Sequence, residues 1–378
     1  VRNKIVAMLD RTEESIASTI RDKLRSTGLQ TPAEVKRLQS IQRTVELLRE
    51  KAWSDATDFL LNQMEDLAYQ EPLFTQNMFV LSAPVIIETV IPPAIQLKGI
   101  ALSRPFEGRL LKEWAETMKA DDLRRIHAAI QMGMIAGEGS NVIAKRVVGT
   151  GLLDGRDGMT EQSRRQVDTI VRTAVQHVAN SVRAEFFELN SDIIEAEVFV
   201  ATLDARTTPV CRGLDGKRFQ VGKGPRPPIH MGCRSIRVAV FNDSVLGSRP
   251  ANAASRALLL DEFTEEQGLP QVDKRSELPF GIRGKFDSFE KKSLKNLIGR
   301  VPASTTYDAW LRAQPHSFQN EILGITKAKL FRGGLTLDKY TAVNGTELTL
   351  AQLAVKYKDA FKSANLDYSA FLNSRRGP

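Results

Sequence analysis

Two cysteines and a histidine are the side chains of this sequence best equipped for chemistry, and they lie close together. Cys211 and Cys233 are the only cysteines in the chain, and His230 stands three positions before the second. Two thiolates and an imidazole are zinc ligands, and the His-x-x-Cys spacing lets both side chains reach one ion. A closed structural site takes four ligands. With no third cysteine, Asp204, Asp215 or water would have to complete it. The plainer reading makes the cysteines small buried residues and bonds the histidine to a carbonyl. It is preferred, so no cofactor is expected and zinc is the alternative. A disulfide is disfavoured in the reducing compartment that two cysteines suggest. A Cys–His nucleophile pair would need a third, orienting group, which no spacing supplies. GxSxG, HExxH and paired-carboxylate signatures are missing, and no enzymatic activity is expected. His127, His177 and His316 stand alone on helical stretches and read as structural or surface residues.

The same stretch is the most basic in the chain. Arg206, Arg212, Lys217, Arg218, Lys223, Arg226, Arg234 and Arg237 face only Asp204 and Asp215, a balance of +6 in a chain of +8. Double-stranded DNA is the polyanion this suits. Arg206, Arg212, Lys217, Arg218, Arg226, Arg234 and Arg237 are the expected phosphate contacts. No helix-turn-helix or RNP motif is present, so binding should be weak and blind to sequence.

These residues need a scaffold, and 378 residues allow two or three compact units. The expected class is α+β, predominantly helical. Residues 1–150 read as a helical domain, with Thr31-Pro32 opening a helix and Ser140 capping a later one. Residues 150–158 (TGLLDGRDG) are a loop without phosphate-loop spacing. Residues 151–245 form the core. Thr160 caps a long helix to about Leu189, with Val167, Ile170, Val171, Ala174, Val178, Val182 and Phe186 on one face. Strand-like segments at 197–203, 217–221 and 235–241 then build a small antiparallel sheet packed on that helix, with a helical turn at 210–214 and a tight Asp215-Gly216 turn. Residues 246–303 read as a linking region with a basic stretch from Arg283 to Lys295. Residues 304–378 read as a short helical unit, with Gly333-Gly334 ending one helix and Thr349 starting the last. The most apolar run, residues 79–97, is interrupted by Glu88, Pro84, Pro92 and Pro93. It reads as a buried helix and exit turn, and no membrane span is expected.

The run L-D-x-R-T-x-x-x-C-R-x-L-D-G-K-x-F, followed by G-x-G-P-R-P-P-x-H-x-x-C-R, resembles the phage head morphogenesis family, minor head proteins similar to the F protein of phage Mu. Asp204, Arg206, Cys211, Asp215, Gly216, Pro227, Pro228, His230, Cys233 and Arg234 carry the match. Asp204, Arg206, Asp215, Gly216, Pro227 and Pro228 are read as its structural residues. The helix before the first strand and residues 307–337 also resemble the family. Many relatives have further cysteines where this chain has Thr208 and Ser235, so the resemblance implies a metal site reduced here to Cys211, His230 and Cys233. It implies a non-enzymatic minor capsid protein of a tailed phage, acting in procapsid assembly at the portal vertex and linked to DNA ejection. The implied partners are the portal protein, a major capsid or scaffold protein, and packaged DNA. The implied location is the capsid interior or portal vertex, with the host cytoplasm during assembly. Alternatives are a zinc-dependent nuclease, a toxin-like effector or a stand-alone DNA-binding protein. The helices of residues 1–150, with the 79–97 run, are expected to supply the surface that meets the portal.

Overall fold

The computed structural model describes residues 1–24, 31–82, 88–150, 156–241, 248–272, 274–343 and 345–372. The chain divides into two compact units, Val1–Asn190 with Pro227–Cys233, and Ser191–Arg226 with Arg234–Pro378.

The first unit is built from α1 (Arg2–Asp10), α2 (Glu13–Lys23), α3 (Pro32–Ser82), α4 (Ala94–Ser103), α5 (Leu111–Ile135), α6 (Ser140–Val148) and α7 (Thr160–Leu189). A capping box starts α3, as Thr31-Pro32 foretells: Thr31 Oγ1 accepts from the Glu34 amide at 3.3 Å, and Glu34 Oε2 accepts from the Thr31 amide at 2.9 Å. The helix then runs for 51 residues, about 77 Å at 1.5 Å per residue. The expected apolar stripe of α7 is buried throughout, against Trp53, Leu60 and Met64 of α3 and Ile5 and Leu9 of α1. A second apolar group joins α2, α5, α6 and the start of α3 through Ile16, Ile20, Ile41, Ile126, Ile130 and Ile143.

Inside this unit Arg49 and Asp122 form a buried ion pair, Nη2 to Oδ2 at 2.6 Å. Trp53 Nε1 donates to the same carboxylate at 2.7 Å and Ser163 Oγ at 2.5 Å. A charge survives burial only when paired and hydrogen-bonded in this way.

Two expected caps lie one residue inside their helices. Ser140 and Thr160 are the first helical residues of α6 and α7, while Gly139 and Met159 hold the cap positions. The 79–97 run is divided. Phe79 and Leu97 are buried, Leu81, Val90 and Ile95 are exposed, and residues 83–87, with Pro84, lie outside the described residues. So do residues 151–155 of the glycine-containing loop. Among the described residues no helix is long and apolar enough to cross a membrane.

The second unit contains β1 (Ala196–Val200), β2 (Leu203–Asp204), α8 (Pro209–Leu214), β3 (Arg218–Phe219), β4 (Ile236–Val240), β5 (Ser248–Asn252), α9 (Arg256–Glu266), α10 (Phe280–Leu297) and β6 (Ile298–Pro302). The helices α11 (Tyr307–Arg312), α12 (His316–Leu323), α13 (Ile325–Arg332), α14 (Leu350–Lys356), α15 (Lys358–Ser363) and α16 (Ser369–Leu372) complete it. The expected antiparallel sheet is there, in the order β3-β1-β4, with Glu197 opposite Ala239 and Phe199 opposite Arg237. A second sheet, β2-β5-β6, was not expected from the residues. Its β2 and β5 are parallel, and its β5 and β6 antiparallel.

Residues 246–303 are therefore corrected from a linking region to a folded one. Two strands flank the α9–α10 pair, which has its own apolar core of Leu259, Leu260, Phe263 and Phe286. The C-terminal helices are not a separate unit either. Tyr307, Trp310, Phe318, Leu330 and Leu353 share one core with Leu203 of β2 and Ala251 of β5. Thr349 caps α14 through a reciprocal bond with Gln352, but α15 and α16 follow it.

Candidate functional site

The basic segment is organised by three buried carboxylates, beginning with Glu197. This residue lies in β1, whose first four residues are all buried, and is itself fully buried. Arg226 Nη2 reaches its Oε1 at 3.0 Å, and Arg237 Nε reaches its Oε2 at 3.2 Å. The Gly222 amide adds a bond to Oε1 at 3.0 Å. Arg237 also donates to the carbonyls of Lys223 and Pro225 at 2.9 and 3.0 Å, and its guanidinium lies 4.2 Å from the Phe219 ring centre. Burial holds the Arg237 guanidinium below its ordinary pKa, partly offset by Glu197. The Gly/Pro loop is thus pinned from within. At Gly224, with φ of +80°, a side chain would strike the Phe219 ring at 2.2 Å, so this position needs glycine for both backbone and space.

Asp215 is the second centre. Its Oδ1 accepts from the Ala201 amide at 2.6 Å and from Arg249 Nη2 at 2.8 Å. Its Oδ2 accepts from Arg249 Nη1 at 3.0 Å and from the Tyr307 amide at 2.6 Å. Gly216 follows with φ of +80°, and a Cβ there would meet Thr306 at 2.5 Å. The Asp-Gly turn is as expected, but the carboxylate's role in joining β5 and α11 to it was not.

Asp204 is the third. Arg234 grips it with both terminal nitrogens, at 2.5 and 2.8 Å, and Thr207 Oγ1 donates at 3.2 Å. Burial alone would raise the Asp204 carboxyl, but the Arg234 bonds and charge hold it below its usual range.

These pairs correct the expected phosphate contacts. Arg237 is 3% exposed and has no face to offer a phosphate. Arg226 and Arg234 are half-buried on Glu197 and Asp204, and Arg212 donates to the carbonyls of Ile322 and Ala205 at 3.1 and 3.2 Å. Arg206, Lys217 and Arg218 are exposed, and Arg218 lies 3.2 Å from Glu195. Most of the segment's positive charge neutralises carboxylates of its own unit. Glu197, Arg249 and Tyr307 are the participants that sequence reasoning missed. The available signal was a glutamate in an otherwise apolar strand, since a buried charge needs a partner.

Ligand atoms of His230 and Cys233, both in the first unit, lie within 4.8 Å of each other, while Cys211 belongs to the second unit. Both cysteines are buried. The His230 ring meets the Met231 carbonyl through Nδ1 at 2.9 Å, and its bond to the Cys233 sulfur raises its pKa, against burial. With Nδ1 on a carbonyl, Nε2 is the nitrogen left for a metal. The donor set suits zinc in type. The carboxylates proposed as a fourth ligand are committed elsewhere, Asp204 to Arg234 and Asp215 to Arg249. His177 bonds the Arg104 carbonyl at 2.9 Å, and burial lowers its pKa, as fits a structural histidine.

Residues 124–238 match the family model described as Phage Mu protein F like protein. That segment is similar to phage Mu protein F. The match runs from within α5 to β4 and contains Glu197, Asp204, Asp215 and both cysteines. It begins further toward the N-terminus than the resemblance read from the motif, and ends before residues 307–337. The likeness to phage Mu protein F is confined to this segment. No curated protein and no solved structure matches it.

Proposed function

We propose that this protein is a minor head protein acting at the portal vertex during procapsid assembly, with packaged DNA as a secondary contact. The family match over residues 124–238 carries the reading. The chemistry of that segment supports it. Glu197, Asp204 and Asp215 each meet arginine and backbone partners that fix loops and strands, an arrangement that builds a rigid part. Apolar residues left exposed along α3 and at the start of α4, such as Phe74, Leu81 and Ile95, give the first unit surface for a protein partner. The partners on this reading are the portal protein and a major capsid or scaffold protein. The zinc reading has one specific observation in its favour, the pairing of His230 and Cys233, whose ligand atoms lie within 4.8 Å of each other.

The test is co-expression of the full chain with the portal and major capsid proteins of the same phage. The chain should co-purify with portal and enter head particles at a copy number far below that of the major capsid protein. Its absence from both would overturn the reading.

A further inference from the structure

The buried and half-buried arginines of the basic loop are engaged within their own unit, and a row of exposed positive charge lies on α10. One face of this helix, with Ile282, Phe286 and Phe289, packs toward α9. The opposite face carries Gly281, Gly284, Lys285, Ser288, Lys291 and Lys292, all exposed. Their spacing is that of a single helical stripe. Both acidic residues of the helix are answered by arginines from outside it. Asp287 accepts from Arg275 at 2.6 Å, and Glu290 lies 3.0 Å from Arg256. Lys285, Lys291 and Lys292 take no ion-pair partner among the described residues. The stripe therefore keeps its charge.

The glycines add an independent observation. Glycine weakens a helix relative to alanine, yet a Cβ at Gly281 or Gly284 would meet nothing within 4 Å, and neither has a positive φ. The fold does not require them. On the outer face they leave a flat strip of backbone beside the lysines, open to close approach by a bulky ligand.

We propose that this face of α10 is a contact for the phosphate backbone of duplex DNA, an inference that rests on reading the protein as a head protein that meets packaged DNA. Lysine ammonium groups are mobile point charges suited to phosphates, and contacts of this kind read no sequence. The DNA lies along the stripe, its phosphates meeting Lys285, Lys291 and Lys292 in turn.

The test uses the full chain and a random-sequence duplex, with affinity followed by fluorescence anisotropy from low to physiological salt. Each phosphate neutralised contributes a slope of about −0.9 in log K against log salt, so Lys285→Ala/Lys291→Ala/Lys292→Ala should flatten the slope by up to about 2.7. Because these side chains are exposed, its circular dichroism and melting should match wild type. A second variant, Gly284→Gln, adds bulk without charge. It should weaken DNA binding while leaving the helix at least as stable. Wild-type binding with an unchanged slope in the triple variant overturns the assignment to α10. No wild-type binding at low salt overturns DNA contact altogether, whereas the portal co-purification experiment tests the head-protein reading separately.

Discussion

Arg237→Ala would test the claim that this basic segment is a strut. Glu197 is fully buried and Arg237 is 3% exposed. Truncation removes the bond to Oε2 at 3.2 Å and frees the Lys223 and Pro225 carbonyls. It also takes the guanidinium off the Phe219 ring. Removing one partner of a buried pair costs about 3–5 kcal/mol. Arg226 stays on Glu197, which puts the expected loss near the lower end, about 3 kcal/mol. That is a large part of the roughly 5–15 kcal/mol that holds an ordinary domain together. Urea denaturation followed by circular dichroism measures it, and limited proteolysis at residues 220–226 shows whether the loop is released. A Glu197→Gln/Arg237→Met double variant removes both charges and should recover much of the loss, since a well-packed neutral replacement of a buried pair is often near neutral. If Arg237→Ala lies within about 1 kcal/mol of wild type, below the 3–5 expected for a broken buried pair, the strut argument fails and the arginine is available for other roles.

Two other outcomes follow from the carboxylate and thiol sites. The Asp204 carboxyl ionises at lower pH in the folded protein than in the unfolded chain, through Arg234. Its contribution to stability is present above the ordinary aspartate range and is lost as pH falls through the folded value. Asp204→Asn should lower stability at neutral pH and reduce the loss seen on acidification below about pH 4; an unchanged acid profile would contradict the pairing. Elemental analysis of protein purified without chelator should find well under one zinc per chain, because the two carboxylates expected to complete the site are engaged by arginines. Stoichiometric zinc that disappears in Cys233→Ser would reverse that expectation.

The parts of the fold legible in the sequence are those where one periodicity decides the structure. The α7 stripe from Val167 to Phe186 is buried as read, and the β-branched run at β1 and the alternation at β4 give the antiparallel pair. The second sheet was not legible. Strand β2 has two residues, β5 reads SRPAN and β6 reads IGRVP, and proline and glycine ordinarily argue against a strand. Charge was misread for a related reason. Arg226 and Arg237 meet Glu197 across 29 and 40 residues, Arg237 through the β1–β4 pairing and Arg226 from the loop between β3 and β4. A local count of charge registers seven arginines and lysines as free surface when most of them have distant partners. In the metal site, residue types were legible from spacing, but the commitment of Asp204 to Arg234 was not.

The Asp215 cluster also has a consequence in time. Its carboxylate is complete only when the Tyr307 amide arrives, 92 residues later. At about 5–20 residues per second, the ribosome needs roughly 5–20 s to make that stretch. Until then the carboxylate lacks one of its four native hydrogen bonds, the other three coming from Ala201 and Arg249. The family match ends at residue 238, so the matched segment is shorter than the segment that holds all the partners of Asp215. A nascent chain that stalls before residue 307 would contain the whole matched segment without its bond from the Tyr307 amide. It would be a substrate for proteases, and only a chain translated past that point would have a finished unit to contribute to assembly.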